Sequence, residues 1–525
     1  MTQIATNQPC PEKAFKHGAV ATESEVCSEI GRDILQNGGS AVDAAIAALL
    51  CVSVVHPQSM GLGGGVIFTV MEKSGKVKII NARATVPQVY KRNLMEHCSG
   101  KDRTGGQWIG IPGEIRGYEE AHRLYGKLKF SDLFQPAIKL AKEGVKVSRF
   151  LGIHLKEHCP SIDAAPLCKL FYNENGSLLK GTVKYEELAK TLEIIAEDGP
   201  DAFYNGRIAE DLIQDIKDAS GTLSLEDLQS FKVKVTDAWN VSIGEYKMHF
   251  PSPPSGGVLI PFILNVMKDS IKESEKTLTH HRYVNTCKFA NGQRKYTRDY
   301  NFMSPKFRVN SRRLTLEDFA RIFINNHYSD SDCCQDEELK LSTCNDSVGA
   351  THISVLDEDG TAVSVTSTIN DPFGSKVYSP KTGIILNNLL ADFCGLADHI
   401  CPGEQPPSST APCVLYSKSK QETLLIGGSG GDMITTRVAM ALMNYLWFGK
   451  DLKSAINAPA VFVNCNNRLE FEEGFDKFVI NGLKDIGHKE EDLQNSYTAV
   501  NAVLKKQNRI TAWSDKRKGG VAAGY

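Results

Sequence analysis

The sequence predicts a layered α/β protein, and three segments support this expectation. Residues 41–54 form an apolar run preceded by Ser40, which is typical of a capped, buried helix. Residues 59–65 form a glycine-rich turn, and the run at residues 66–71 follows it as a strand. Residues 424–447 repeat the order of strand, glycine turn and helix. Paired strands with helices on either side indicate sheets that are covered by helices.

The first predicted elements are two consecutive helices, at residues 23–36 and 41–54. The first helix is expected to stop at Gly38 and Gly39, because glycine favours the turn that ends a helix. The second helix is apolar on nearly every side and is therefore expected to be buried. Asp43 lies in its first turn, where the helix dipole favours a carboxylate.

A β-hairpin and further helices follow. Residues 66–71 and 77–81 have the composition of paired strands and are joined by a turn. The region 115–147 is predicted to be mostly helical. Within it Pro136 is expected to open a helix, since proline is favoured in the first helical turn. Another helix fits residues 185–196.

The second half of the chain mixes strands and helices. Residues 223–250 are predicted to be strand-like, and residues 258–268 to be helical. The polar segment 272–346 is expected to form a flexible, surface-rich region. The alternating segments 351–356 and 362–370 predict a second β-hairpin.

Composition limits the classes of partner. The 525 residues are 41% hydrophobic, enough to bury a large core. Length alone would allow about three or four domains, although no linker divides the chain. The 60 basic and 62 acidic residues give a net charge of −2, which argues against a nucleic-acid partner attracted by bulk charge. The glycine segment 427–431 matches neither the G-x-G-x-x-G motif nor a P-loop, and no cofactor is expected.

The 14 cysteines are scattered along the chain. They do not form the repeated C-x-x-C pairs of a zinc site, so no metal is expected. Some of them could pair in an oxidising compartment, whereas Cys51, in an apolar run, is expected to be a buried thiol. The adjacent Cys333 and Cys334 suit neither a zinc finger nor a mutual disulfide.

Signals for the compartment point in different directions. Sequons at Asn175, Asn240 and Asn345 favour secretion, although such tripeptides also arise by chance. The N-terminus lacks the apolar core of a signal peptide. The best apolar run, residues 44–55, is shorter than the roughly 20 residues that span a bilayer. The sequence alone predicts a soluble chain, or one whose anchor is missing from this version.

Two segments invite a catalytic interpretation. The glycine segment 427–431 is either a tight turn or a loop that directs backbone N–H groups at a developing oxyanion. His352 and Ser354 share one face of a predicted strand. Because no G-x-S-x-G elbow accompanies them, a structural histidine is the simpler interpretation.

Further polar residues form a second group of candidates. Thr368 and Asn370 share a face of the predicted hairpin. Arg83 follows the strand at residues 77–81, and residues 406–409 form a turn rich in proline and serine. Each has an ordinary structural interpretation alone, but together they resemble one known site.

The motifs taken together resemble the gamma-glutamyltransferase (glutathione hydrolase) family, from about residue 14 to residue 525. The pieces recur in the family's order and at its spacing. They lie at residues 38–45, 59–65, 81–83, 112–118, 253–257, 366–374, 383–388, 406–409 and 427–431. Details at residues 108–113 and 379–388 are most similar to the leukotriene-C4-hydrolysing branch of animal enzymes.

The resemblance implies a four-layer αββα sandwich of the N-terminal-nucleophile hydrolase type. It also implies a precursor that cuts itself before a Thr, so that residues 1–349 and 350–525 correspond to the large and small subunits of one intertwined domain. The Thr hydroxyl attacks the γ-glutamyl amide with its own α-amine as base. Water, an acceptor amino acid or a dipeptide then removes the acyl group, and no cofactor takes part.

The same resemblance assigns substrate-binding roles. Arg83 is expected to bind the substrate α-carboxylate as a charge-assisted pair. Ser408 and Ser409 are expected to help hold that carboxylate. Asn370 and Asp392 are expected to bind the α-amine, so that both α-groups distinguish a γ-glutamyl group from ordinary amides.

The catalytic positions include one departure from the family pattern. Thr368 is expected to orient the nucleophile, and the backbone N–H groups of Gly430 and Gly431 are expected to form the oxyanion hole. The nucleophile position itself is Ala350, which has no hydroxyl group. Thr351 is a weak substitute, because a shift of one residue turns a strand side chain to the opposite face, unless a bulge intervenes.

Two further departures lie at the α-amine site. Leu389 stands where the family has a Glu, and Ala391 stands where a carboxylate precedes Asp392. Asp392 is therefore left as the main charged partner for the substrate amine. An engineered change would explain Ala350 alone but not Leu389, which favours natural divergence.

Two functions remain open at this point. The first is an enzyme that cleaves or transfers the γ-glutamyl group of glutathione and its conjugates, with leukotriene C4 among them. The second is a non-catalytic relative that stays uncut and binds γ-glutamyl peptides. A heterodimer of the two segments is expected only after self-cleavage. The resemblance implies a location on the extracellular face of the plasma membrane.

Overall fold

The computed structural model of the protein describes residues 14–99, 103–173, 175–179, 181–271, 273–327, 349–397, 399–493 and 498–525. The helices are α1 (Glu25–Gln36), α2 (Ala41–Val55), α3 (Glu114–Tyr125), α4 (Phe130–Glu143), α5 (Arg149–His158), α6 (Glu186–Asp198), α7 (Asp201–Tyr204), α8 (Arg207–Asp218), α9 (Leu225–Ser230), α10 (Leu259–Met267), α11 (Lys276–Gly292), α12 (Pro305–Arg313), α13 (Glu317–His327), α14 (Ile434–Leu446), α15 (Leu452–Asn457) and α16 (Lys477–Asp485). The strands are β1 (Ala14–Phe15), β2 (Ala19–Ala21), β3 (Gly65–Met71), β4 (Val77–Ala82), β5 (Val145–Lys146), β6 (Thr182–Val183), β7 (Lys234–Asp237), β8 (Trp239–Ile243), β9 (Tyr246–Phe250), β10 (Thr351–Leu356), β11 (Ala362–Thr368), β12 (Cys413–Ser417), β13 (Glu422–Ser429), β14 (Val461–Val463), β15 (Leu469–Phe471), β16 (Ala499–Lys506), β17 (Arg509–Trp513) and β18 (Ala523–Gly524).

Two seven-stranded antiparallel sheets form the centre of the fold. Sheet I has the strand order β18-β2-β10-β11-β3-β4-β7, and sheet II has the order β1-β17-β16-β13-β12-β9-β8. The sheets face each other where β10 and β11 pack against β13. Helix α2 covers sheet I, and helix α14 covers sheet II. The predicted four-layer αββα sandwich is therefore confirmed.

The predicted helix at residues 41–54 is α2, and its sequence explains its place in the core. The Ser40 side chain accepts a hydrogen bond from the Asp43 backbone N–H, and the Asp43 side chain accepts one from the Ser40 backbone. This capping box satisfies two N–H groups at the helix start. Every residue of α2 is buried, as its apolar composition predicts.

The predicted second hairpin is formed by β10 and β11, and its two faces have different surroundings. Ile353 and Val355 lie in the apolar cluster that includes α2. His352 and Ser354 point the other way, and the Ser354 hydroxyl donates to the Asn501 carbonyl of sheet II at 3.3 Å. The alternation of side chains along a strand therefore separates an apolar face from a polar one.

Two predicted elements were wrong in detail. Pro136 lies inside α4 rather than at its start, because the buried apolar face of that helix already begins with Leu133 and Phe134. Within the predicted strand-like region, α9 forms because Ser224 and Asp227 make another capping box.

The described part of the polar segment, residues 273–327, also differs from its prediction as a flexible surface. Most of α11 is buried, and it packs against α10 and α16. Its polar side chains have distant partners, as in the contact of 2.9 Å between the ring nitrogens of His281 and His488. Of the earlier expectations, those for Asn345, Cys333 and Cys334 lie outside the described residues.

The expectation of a free thiol at Cys51 was wrong, since Cys51 forms a disulfide with Cys27. The bond joins α1 to α2, whose packing brings the two Cα atoms to 5.4 Å. Two more disulfides join Cys98 to Cys394 and Cys159 to Cys168. Helices long and apolar enough to cross a bilayer do not occur in the described part of the chain.

Candidate active site

A cavity that opens to solvent lies at the end of the β10–β11 hairpin. Six residues that the sequence predicted as site residues line it together. They are Thr368, Asn370, Asp392, Ser408, Ser409 and Gly431. Gly349, Arg294, Thr297 and Asp432 also contribute to its wall. The chain thus assembles residues from six separate segments into one polar pocket.

Ala350 occupies the predicted nucleophile position beside this cavity. Its side chain is 1% exposed and belongs to the apolar cluster of sheet II. Its carbonyl oxygen accepts a hydrogen bond of 3.0 Å from the Lys518 ammonium group. The preceding Gly349 has no room for a side chain, because a Cβ atom there would lie 1.9 Å from the Asn370 carbonyl oxygen.

Thr351 points away from Ala350 into a buried charged cluster. Its hydroxyl donates to a carboxylate oxygen of Glu23 at 3.0 Å. Lys518 lies 3.3 Å from the other Glu23 oxygen and 2.7 Å from the Ser429 hydroxyl. Burial lowers the pKa of Lys518, while the Glu23 charge opposes that shift. The Thr351 hydroxyl therefore makes its hydrogen bond inside this buried cluster, and Thr351 is not one of the residues that line the cavity.

Thr368 and Asn370 connect the end of the hairpin to Gly349, the residue before the predicted nucleophile position. The Thr368 hydroxyl donates to the Gly349 carbonyl at 3.3 Å and accepts from the Asn370 backbone N–H at 2.8 Å. Asn370 has a φ angle of 79°, in the left-handed region that side chains other than glycine rarely adopt. Its amide also donates to the Asn388 carbonyl at 3.2 Å, which helps to hold this backbone conformation.

Arg83 is buried and paired with Asp392. One guanidinium nitrogen lies 2.5 Å from the Asp392 carboxylate and 2.8 Å from the Pro407 carbonyl oxygen. A second nitrogen donates to the Pro406 carbonyl at 2.7 Å. Arg83 therefore holds the 406–407 turn and the Asp392 carboxylate together, immediately behind the lining of the cavity.

Burial raises the pKa of Asp392 to about 7, and Arg83 opposes this shift. The negative charges of Asp432 and Asp371 raise the pKa further. Carboxylates that share a site repel each other, and a bound cation relieves that repulsion. A positively charged group placed next to Asp392 would therefore favour its ionised form.

Ser409 connects a cation and a carboxylate in the wall of the cavity. Its hydroxyl donates to Asp432 at 3.0 Å, and the Arg294 guanidinium donates to the same hydroxyl. Arg294 also donates to the Asp432 backbone carbonyl. The neighbouring Ser408 hydroxyl lies 2.9 Å from the Thr410 hydroxyl. Hydroxyl groups and a buried guanidinium suit a carboxylate ligand.

The glycine segment after β13 lies on the same side as these serines. Gly427 and its neighbour belong to β13 rather than to the predicted turn, because the His352 ring packs directly on Gly427. Gly430 and Gly431 form the turn, with φ angles of 117° and 61°. Gly431 lines the cavity, whereas Gly430 packs against Thr498.

His352 has a structural environment. Its two ring nitrogens lie 2.9 Å from the Thr366 hydroxyl and 3.1 Å from the Ser354 hydroxyl. Complete burial lowers its pKa to about 3, so the ring is neutral near pH 7. This environment favours the interpretation of His352 as a buried, hydrogen-bonded histidine.

One group among the described residues has side chains close enough to hold a metal ion. It comprises His154, Glu157 and His158 on α5, whose ligand atoms lie within 4.8 Å of one another. None of the three lines the cavity.

Arg294 and Asp432 are two of the lining residues that the sequence reasoning missed. Arg294 lies in the polar segment that was expected to be an uninformative surface, and only its contact with Ser409 reveals its place. Asp432 directly follows the glycine turn, so its position beside the predicted oxyanion loop was the available signal.

Comparisons with known proteins agree with the geometry. The sequence profile of the family described as Gamma-glutamyltranspeptidase matches residues 27–525. The chain is 43% identical to glutathione hydrolase 5 proenzyme of Homo sapiens over an alignment that covers 98% of this chain and 94% of that protein. The predicted similarity to this family is confirmed over nearly the whole length.

Solved structures give the same result for the fold. Gamma-glutamyltranspeptidase of Helicobacter pylori is 29% identical with a TM-score of 0.55, over 61% of this chain and 94% of that one. Cephalosporin acylase from Bacillus halodurans has a TM-score of 0.85 at 22% identity, over 100% of this chain and 99% of that one. This last likeness concerns the fold alone.

Proposed function

The chain belongs to the gamma-glutamyltranspeptidase family, and we propose that its cavity binds the γ-glutamyl group of glutathione and of glutathione conjugates. Members of this family are hydrolases of the N-terminal-nucleophile type. The observation that carries the proposal is the assembly of Asn370, Asp392, Ser408 and Ser409 in one pocket. Their amide, carboxylate and hydroxyl groups match the charged α-amino and α-carboxylate groups of such a ligand.

The proposed ligand orientation follows from the two sides of the cavity. The α-carboxylate lies toward Ser408 and Ser409, with the guanidinium of Arg83 behind them. The α-ammonium group lies toward Asn370 and Asp392. The γ-carbonyl then reaches the end of the hairpin, where backbone N–H groups of Gly430 and Gly431 would serve as an oxyanion hole.

The reaction of the family requires a hydroxyl nucleophile, which Ala350 does not supply. We propose that the chain therefore remains uncut and binds γ-glutamyl ligands without turnover. A replacement by Thr351 is disfavoured, because its hydroxyl donates to Glu23 on the opposite face. Residues 1–349 and 350–525 are then continuous equivalents of the large and small segments.

The second candidate function is turnover as a glutathione hydrolase or γ-glutamyltransferase, with leukotriene C4 among the possible substrates. The 43% identity to a glutathione hydrolase 5 proenzyme favours it. In that reaction the nucleophile forms an ester with the γ-carbonyl carbon, the leaving amine takes the proton, and water or an acceptor amine releases the acyl group. This candidate requires a hydroxyl group that reaches the cavity.

The disulfides bear on the proposed location. Three bonds join pairs of described residues, among them Cys98–Cys394 beside the cavity, and such bonds form and persist in an oxidising compartment. They support the proposal that the protein works on the extracellular face of the plasma membrane.

A direct test compares turnover with chain cleavage. We expect the unaltered chain to run as one band near 57.6 kDa under denaturing conditions and to release no p-nitroaniline from γ-glutamyl-p-nitroanilide. Glutathione should nevertheless protect the folded chain against thermal unfolding. Release of p-nitroaniline that disappears in Thr351→Ala would establish turnover and refute the binding-only proposal.

A further inference from the structure

We propose that Asp432 is a second anionic ligand for the α-ammonium group of a γ-glutamyl molecule, in addition to Asp392, which lines the same cavity. The inference rests on the proposed function and adds a specificity-determining residue to it. It assigns to Asp432 the discrimination between an α-amino acid group and the same carbon chain without an amine.

The position of Asp432 in the cavity is the first argument. It directly follows Gly431, whose left-handed conformation turns the chain along the cavity wall. The Asp432 side chain is 34% exposed, compared with 16% for Asp392, so that both carboxylates can be reached by a ligand. Leu389 and Ala391, the neighbours of Asp392, are apolar and buried and supply no charge.

The charges around Asp392 are the second argument. Its paired cation, Arg83, is 2% exposed and also serves two backbone carbonyls, so it does not fill the cavity. Asp432 is close enough to act on the charge of Asp392, as the two carboxylates repel each other. An ammonium group between them would be attracted by both.

The support of Asp432 is the third argument. Ser409 and Arg294 both hold the same carboxylate oxygen, at 3.0 Å and 3.6 Å. Arg294 in addition binds the Asp432 backbone and the Ser409 hydroxyl. This bracing fixes the carboxylate beside the serines proposed to hold the α-carboxylate. The cavity therefore combines a buried cation, hydroxyl groups and two carboxylates, which together can pair with both charges of a zwitterionic amino acid head group.

The test uses two ligands that differ only in the α-amine. L-Glutamate carries the ammonium group, and glutarate has the same carbon chain without it. We expect the unaltered full-length chain to prefer L-glutamate in calorimetric titrations. Asp432→Asn should lower the affinity for L-glutamate by about 10- to 100-fold, the range for a hydrogen bond to a charged group. Its affinity for glutarate should stay the same or rise.

Control variants separate contact from a general loss of charge or structure. Asp371→Asn removes a charge that also acts on Asp392, but Asp371 does not line the cavity. We expect it to lower L-glutamate affinity by no more than about threefold. Asp432→Glu keeps the charge and should preserve the preference, and Asp432→Ser provides a second neutral variant if Asp432→Asn does not fold.

Each outcome decides the inference. Equal losses for both ligands would show that Asp432 only supports the cavity wall, and an unchanged preference in both neutral variants would show that it does not contact the amine. Either result overturns the inference while leaving the proposed function intact. Failure of the unaltered chain to bind either ligand would instead refute the proposed function, and the inference with it.

Discussion

Replacing Ala350 with Thr places a hydroxyl group next to the Gly349 carbonyl carbon, at the peptide bond that joins residues 349 and 350. The Thr368 hydroxyl already donates to the Gly349 carbonyl oxygen at 3.3 Å, so it would stabilise the negative charge that develops there. We expect Ala350→Thr to cut itself between residues 349 and 350. The added atoms enter a site that is 1% exposed, so we also expect a loss of about 1–3 kcal/mol in the free energy of unfolding.

The contribution of Thr368 gives this prediction a magnitude. Loss of one donor to a developing oxyanion slows a reaction by about 100- to 1,000-fold. Combining Ala350→Thr with Thr368→Val should therefore slow cleavage by that factor, whereas Thr368→Ser should retain most of the rate. Gel electrophoresis over time and N-terminal sequencing of the smaller fragment measure both effects.

As a control, thermal unfolding is measured for each variant to show that it is folded. A folded Ala350→Thr chain that stays near 57.6 kDa would refute the reasoning, because the lesion would then extend beyond the missing hydroxyl. Equal cleavage rates with and without Thr368→Val would refute the assigned role of Thr368.

Three further predictions concern binding and stability. The pKa of Asp392 is raised from its ordinary value to about 7, so ionisation should increase L-glutamate affinity as pH rises through about 7, by up to about tenfold per pH unit below it; titrations at several pH values measure this. Because the pKa of Asp392 is higher in the folded chain, the protonated carboxyl contributes to the free energy of unfolding. This contribution should be present at low pH and lost as pH rises through about 7. Lys518→Met leaves the fully buried Glu23 without its cation and should cost about 3–5 kcal/mol in denaturant unfolding, with partial recovery when Glu23→Gln is added. Gly349→Ala forces a Cβ atom against the Asn370 carbonyl, so it should lower the free energy of unfolding by about 1–3 kcal/mol and weaken L-glutamate binding. An unfolding midpoint equal to that of the unaltered chain would contradict the observed packing.

Local signals made much of the fold predictable. The capping box at Ser40 and the apolar run of α2 specify a buried helix within a few residues of sequence. The alternation in β10 and β11 likewise specifies a hairpin with two different faces. Such features depend on neighbours in the chain, so their physical cause is visible in the sequence.

Features that depend on distant partners were not predictable in the same way. The apolar context of Cys51 indicated burial, but only the packing of α1 on α2 brings Cys27 close to it. Helix α11 was expected at the surface because its residues are polar, and their buried partners lie far along the chain. Arg294 meets Ser409 across 115 residues, so its place in the cavity wall follows from the tertiary fold alone.

The resemblance to a known family placed the site where local signals could not. It selected six residues that line one cavity, although their segments are far apart in the chain. It did not indicate Asp432, because it assigned the amine site to other positions. The position of Thr351 followed from strand alternation, and its hydrogen bond to Glu23 gives that alternation a specific partner.

The most direct test of the account is a calorimetric titration of glutathione into the unaltered, full-length chain. Binding without turnover predicts saturable heats that return to a flat baseline after each injection. Turnover would instead produce a sustained displacement of the thermal power, and the absence of any saturable heat would show that the cavity does not bind γ-glutamyl groups. Either of these last two results would contradict the claim that this chain has kept the binding site of its family and lost the nucleophile at Ala350.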